Sequence, residues 1–177
     1  MSMSILVAYA TRYGSTREVA EAVATTLRER GLAVDCEPMA AVRSLEGYRA
    51  VVLGAPFYMS RWHKDARSFV ARHRHALIGL PAAVFALGPF HDNEKEFLDV
   101  RQQLDKALAG YPWLALTATA IFGGKFDPAA LRFPYTLIPA LKNLPASDIR
   151  DWTKIRAWAD EVATTLHASP VEASALT

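Results

Sequence analysis

Ile5-Leu6-Val7-Ala8-Tyr9-Ala10 runs apolar and breaks at once into Thr11-Arg12-Tyr13-Gly14-Ser15-Thr16, a hexapeptide rich in hydroxyls with one glycine. From Thr16 onward Val19, Val23 and Leu27 recur on one helical side, and Gly31 stops the run. An apolar strand, a polar loop and a one-sided helix in succession open a parallel α/β unit.

The rest of the chain repeats that grammar. Ala33–Glu37, Ala50–Ala55, Ala82–Leu87 and Ala115–Phe122 are further short apolar runs. The first, third and fourth runs of the whole set are apolar almost throughout, as expected of strands covered on both faces. Between them lie three more helical patterns. Lys64–Leu77 places Ala66, Phe69, Val70 and Leu77 on one side. Asn93 is positioned to cap a helix burying Phe97, Val100, Leu104 and Leu108, with Gly110 as its stop. Asp151 precedes a stripe of Ile155, Trp158, Ala159, Val162 and Leu166. A brief helical turn is expected around Ala40–Leu45. Strand–helix alternation implies parallel strands with right-handed crossovers.

Length and composition narrow the class. The 177 residues suit one domain with a full core, and 51% hydrophobic against 21% charged residues excludes general disorder. Residues 1–167 are expected to form that domain, with an irregular apolar insert at 127–149 and a disordered tail at 168–177. The insert holds Pro128, Pro134, Pro139 and Pro145, too many for one long helix. A net charge of +2 without a basic block gives no reason to expect nucleic acid. The single cysteine, Cys36, forms no internal disulfide, which sets a reducing, cytoplasmic compartment as the expectation. The longest apolar stretch, Leu80–Phe90, is far short of a membrane span, and no leader is read. No His/Cys/Asp/Glu spacing suggests a metal.

Open α/β sheets take ligands beyond the carboxyl ends of their strands, so the Thr11–Thr16 loop is the first place to look. Free amides at a helix start, the hydroxyls of Thr11, Ser15 and Thr16, and the helix dipole together suit a phosphate. Gly14 allows a tight turn and close backbone approach. One hydroxyl there would read as a simple helix cap; the whole hexapeptide reads as a phosphate loop. Gly14 stands alone, so the dinucleotide fingerprint is missing. Gly123-Gly124-Lys125 continues into Phe126 and lacks the upstream glycine of a nucleoside-triphosphate loop. The strand ends lack the acidic residues of a phospho-receiver. A mononucleotide remains.

Thr11–Thr16 resembles the phosphate loop of flavodoxins, [ST]-x-[TSY]-G-x-T, and the likeness runs from Ile5 to about Leu166. Within that group the chain is more similar to the menaquinone-dependent protoporphyrinogen oxidases. The features shared with them are Val52-Leu53-Gly54-Ala55 leading to Arg61-Trp62-His63, Phe122-Gly123-Gly124 before an apolar insert, and Arg150-Asp151-Trp152. The resemblance implies a flavodoxin-like doubly wound, five-stranded parallel sheet of order 2-1-3-4-5 with helices on both faces. It implies FMN, with the phosphate on Thr11, Arg12, Tyr13, Gly14, Ser15 and Thr16. The ring would lie between loops carrying Pro56, Phe57, Tyr58 and Trp62 on one side and Gly88, Pro89 and Phe90 on the other.

Each ring-loop residue also has a plainer reading. Phe57 and Tyr58 read equally as packing groups, Trp62 as a staple for the helix that follows, and His63 and His91 as helix-start residues. No catalytic group is assigned; His63 and His91 are the candidates. The absence of a hydrolytic triad or carboxylate pair fits an enzyme whose cofactor performs the electron transfer. The expected acceptor or partner is a quinone or a redox protein, with a hydrophobic small molecule as substrate. Membrane-peripheral contact through the insert and a homodimer stay open. A small electron-carrier flavodoxin, or a scaffold without flavin, is the alternative; carriers are generally acidic, which +2 does not match.

Overall fold

The computed structural model describes residues 3–58 and 61–168, with Tyr58 described by its backbone alone. The elements run β1 (Ser4–Tyr9), α1 (Ser15–Glu29), β2 (Val34–Pro38), β3 (Tyr48–Tyr58), β4 (Arg61–Trp62), α2 (Lys64–Arg72), α3 (Arg74–Leu77) and β5 (Ala82–Leu87). They continue with α4 (Glu94–Ala109), β6 (Leu116–Phe122), β7 (Lys125–Phe126), α5 (Pro139–Lys142), β8 (Ser147–Asp148) and α6 (Trp152–Ala168).

The five expected strands are β1, β2, β3, β5 and β6, parallel and ordered β2-β1-β3-β5-β6, which is the 2-1-3-4-5 order. Alternate side chains serve two separate cores. Ile5, Val7, Val52 and Phe85 face α1 and α6, whereas Leu6, Leu53 and Val84 face the side closed by Phe69 of α2 and Leu104 of α4. Burial on both faces is why β1 and β5 are continuously apolar. The outer strand β6 leaves Leu116 40% exposed and follows a looser pattern.

The structure differs from expectation in three places. The Lys64–Leu77 helix is two helices, parted at His73 (φ −99°, ψ 15°). Ala40–Leu45 is no helix but a turn at Met39–Ala41, closed by Ala41 N–H donating to Pro38 O at 2.9 Å, followed by irregular chain. Arg72 holds this segment from outside, its Nη2 donating to the carbonyls of Met39 (3.0 Å) and Val42 (3.2 Å). A carbonyl engaged by a guanidinium needs no helical partner, which satisfies the backbone without a helix. Phe97 is only half-buried and lies on a cleft wall, not in the core.

The helix ends follow their expected chemistry. Asn93 accepts from Lys95 N–H at 2.9 Å, and Asp151 accepts from Thr153 and Lys154 N–H at 3.1 Å each. The insert consists of single turns at Pro128–Ala130 and Tyr135–Leu137 and the short α5, closed at its base by the antiparallel β7–β8 ribbon. Of the expected tail, Ala168 ends α6 and residues 169–177 lie outside the described residues.

One glycine is dictated by packing. Gly54 of β3 sits beside Phe85 of β5, and a Cβ on it would come within 2.1 Å of the ring's Cζ. That ring is itself wedged between Phe122 (5.9 Å) and Trp158 (5.8 Å), so it has nowhere to retreat. Gly54→Ala is expected to cost about 2–3 kcal/mol, the upper part of the overpacking range. The check is a lowered urea midpoint with an unchanged slope.

Candidate functional site

The loop leaving β1 turns into α1 through Gly14, whose φ of 92° lies in the left-handed region that a side chain would strain. Gly14 occupies the cap position itself, so neither Ser15 nor Thr16 caps the helix. Thr11 braces the turn instead, its Oγ1 accepting from Gly14 N–H at 2.9 Å. The first helical hydrogen bond is Glu18 N–H to Gly14 O at 3.1 Å. Among the described residues, the amides of Ser15, Thr16 and Arg17 therefore have no acceptor.

Within the same segment two buried hydroxyls have no partner among the described residues, Thr16 Oγ1 and Tyr13 Oη. Thr16 is 1% exposed. A buried polar group left unpaired costs about 1–3 kcal/mol, and here the loop that carries the free amides holds two such groups. This is a cradle shaped for an anion.

The cleft next to the cradle lies at the carboxyl ends of β1, β3 and β5, beside the point between β1 and β3 where the strand order reverses. Ser15, Pro56, Phe57, Gly88, Phe90 and Lys125 line it, and its walls leave a volume of only about 10 Å³. Thus the phosphate-loop and ring-loop segments read from the sequence do meet. Gly88 sits against Val100, 2.8 Å from where its Cβ would be. Pro89 O accepts from Gly124 N–H at 2.6 Å, joining the 88–91 loop to the chain after β6. Glu96 holds that loop from below, accepting from Phe90 N–H at 3.0 Å and His91 N–H at 3.2 Å.

The other candidate residues are not among the described lining of this cleft. Trp62 pairs with Phe57 in the β3–β4 hairpin and turns its ring into the core, 6.3 Å from that of Tyr111. The Tyr58 side chain, with Met59 and Ser60, lies outside the described residues. His63 is a helix-start residue, its Nδ1 accepting from Asp65 N–H at 3.2 Å, and burial holds its pKa below the ordinary histidine value. His91 is on the surface, its side chain 76% exposed and Nδ1 3.2 Å from Glu96. Arg12 stacks over the ring of Tyr135 at 4.5 Å, so the insert touches the phosphate loop. Arg17 pairs with Glu21 in solvent.

Sequence reasoning missed two features. Lys125 joins the cleft wall beside Gly124, although in the sequence it reads only as a fragment of a nucleoside-triphosphate motif. Arg150 is buried, with its side chain 4% exposed. It takes both oxygens of Asp148 (2.8 and 2.6 Å) and one of Glu18 (2.5 Å). Its hydrogen bonds hold the Asp148 carboxyl below the usual carboxylate range. Glu18 lies 132 positions away, and no local pattern announces such a pair. Beyond the 88–92 loop lies a second cleft of about 510 Å³, with Phe97, Ile121, Ile149 and Trp152 among its walls. Among the described residues no group of His, Cys, Asp and Glu is placed to hold a metal.

Comparison with known proteins bears on this arrangement. A family model described as Flavodoxin domain matches residues 6–138. This chain belongs to the flavodoxin-domain family. A protein of Escherichia coli K12 named protoporphyrinogen IX dehydrogenase [quinone] is 25% identical, over 91% of this chain and 95% of its own. Flavodoxin 1 of Bacillus cereus superposes with a TM-score of 0.60 at 17% identity, covering 94% of this chain and 99% of its own. The flavodoxin of Streptococcus pneumoniae TIGR4 gives a TM-score of 0.60 at 17% identity, over 93% and 97% of the two chains. These neighbours share the fold, and the family implies a flavin cofactor and a redox role for this flavodoxin-domain chain. No helix among its described residues is long and apolar enough to cross a membrane.

The buried cap at His63 sets a pH dependence. The unfolded chain takes a proton on this ring near pH 6.5, whereas the fold resists it until lower pH. The stability from the neutral ring is therefore full above about pH 6.5 and drains as pH falls toward the folded pKa. His73, buried and lowered in the same way, adds to the trend. The melting temperature is expected to decline between pH 7 and 5, and His63→Asn, which keeps a cap acceptor, is expected to make that decline shallower.

Proposed function

We propose that this protein is an FMN-dependent, quinone-linked oxidoreductase of the protoporphyrinogen-oxidising type. The observation that carries the cofactor is the cradle: unpaired amides at Ser15–Arg17 beside the buried, unpartnered hydroxyls of Thr16 and Tyr13. A terminal phosphate offers acceptor oxygens to every one of these donors, and the start of α1 favours its charge. Thr11 acts one step back by fixing Gly14. Phe57 and Phe90 wall the place for the ring. When bound, FMN supplies two-electron chemistry between an organic donor and the quinone.

The quinone and the substrate class are supported by the E. coli relative's name and coverage and by the net charge of +2. That charge does not suit a carrier steered by acidic patches. The insert turns Phe133 and Leu137 outward, 75% and 69% exposed, next to Arg132 and Lys142. We assign that face to the lipid surface in which quinones dissolve, which makes the protein cytoplasmic and membrane-peripheral.

Titration with FMN, followed by quenching of flavin fluorescence, is expected to show a stoichiometric complex. Thr16→Ala is expected to weaken it by tenfold or more, the worth of a hydrogen bond to a charged group, while leaving riboflavin binding unchanged. Thr11→Ala is expected to weaken FMN less. Unaltered flavin fluorescence at micromolar protein would end the reading. Given a complex, turnover of protoporphyrinogen with menaquinone is expected. Reduction by a flavodoxin reductase without that turnover would mark a carrier instead.

A further inference from the structure

Lys125 is the only charged side chain among the described residues lining the cleft beside the cradle. It opens β7, and its cross-strand neighbour Asp148 is placed to be its counter-ion. That carboxylate is already committed, both oxygens being taken by Arg150 at 2.8 and 2.6 Å. Glu96, behind the facing loop, is likewise occupied by the amides of Phe90 and His91. Arg12 is stacked on Tyr135. An exposed cation thus stands on an otherwise uncharged wall, within the field of Asp148 but in no salt bridge among the described residues.

Resting on the flavin reading above, we propose that Lys125 sets the cofactor's redox bias by favouring its reduced, anionic form. Reduction by a hydride equivalent brings two electrons and one proton to the ring, which ends with one more negative charge than it had. A cation on the wall attracts that charge and is indifferent to the neutral oxidised ring. The phosphate carries the same charge in both states, so a lysine serving only the phosphate would alter affinity without altering the bias. Raising the potential suits an enzyme that takes a hydride from an organic donor and passes both electrons to a quinone. A low-potential carrier requires the opposite.

Oxidised-FMN affinity and the two-electron midpoint potential, measured by dithionite reduction against a reference dye, test this on the full-length protein. Lys125→Gln is expected to weaken reduced FMN at least tenfold relative to oxidised FMN, a fall of about 30 mV or more. Lys125→Glu should fall further, and Lys125→Arg should stay near the parent. Lys106→Gln, at the far end of α4, should leave the potential unchanged. The same ordering is expected with riboflavin, which has no phosphate. Equal weakening of both redox states, or loss of oxidised FMN by a folded Lys125→Gln, would assign Lys125 to the phosphate and overturn the proposal. Failure of the parent protein to bind FMN would instead remove the flavin reading on which it stands.

Discussion

Five parallel strands sealed on both faces by helices leave one kind of surface for chemistry, the strand ends. The two cores on either side of β1, β3 and β5 exclude water from the sheet along most of its length. A ligand has no entry there. The residues assigned to the cleft accordingly come from the carboxyl ends of strands and from the loops and first helical turn that follow them. The close fit of Gly54 under Phe85 serves the same constraint, since β3 and β5 must lie flush for their following loops to face one another.

Much of this was legible because it is local. Apolar runs, one-sided helices and the Thr11–Thr16 loop each announce themselves within a few residues; their alternation gives parallel strands, and the strand order is what the family likeness implies. What stayed hidden depends on distant partners. Trp62 reads equally as a ring-loop residue and as a staple for the next helix, and a two-residue return strand decides it by swinging the ring into the core against Tyr111. The helix break at His73 carries no proline or glycine to mark it. Arg150 reads as one more arginine before a helix until Glu18 and Asp148 close around it. Lys125 was visible only as part of a motif that the chain does not complete.

Charge placement separates this site from a generic nucleotide cradle. Arginines manage the carboxylates of the neighbourhood: Arg150 occupies Asp148 and Glu18, and Arg17 occupies Glu21. The glutamate in the first turn of α1 would otherwise aim its charge at the same helix start that attracts a phosphate. Its capture by a buried guanidinium removes that conflict and fastens α1 to the ribbon at the base of the insert.

That ribbon has an architectural meaning of its own. Phe126 and Ser147 pair directly, so the excursion between them leaves and returns at a single point. Closing such an excursion costs little more entropy when it is longer. Relatives are thus free to trim, extend or replace this module, and so to change what the protein meets, without disturbing the register of the sheet beneath.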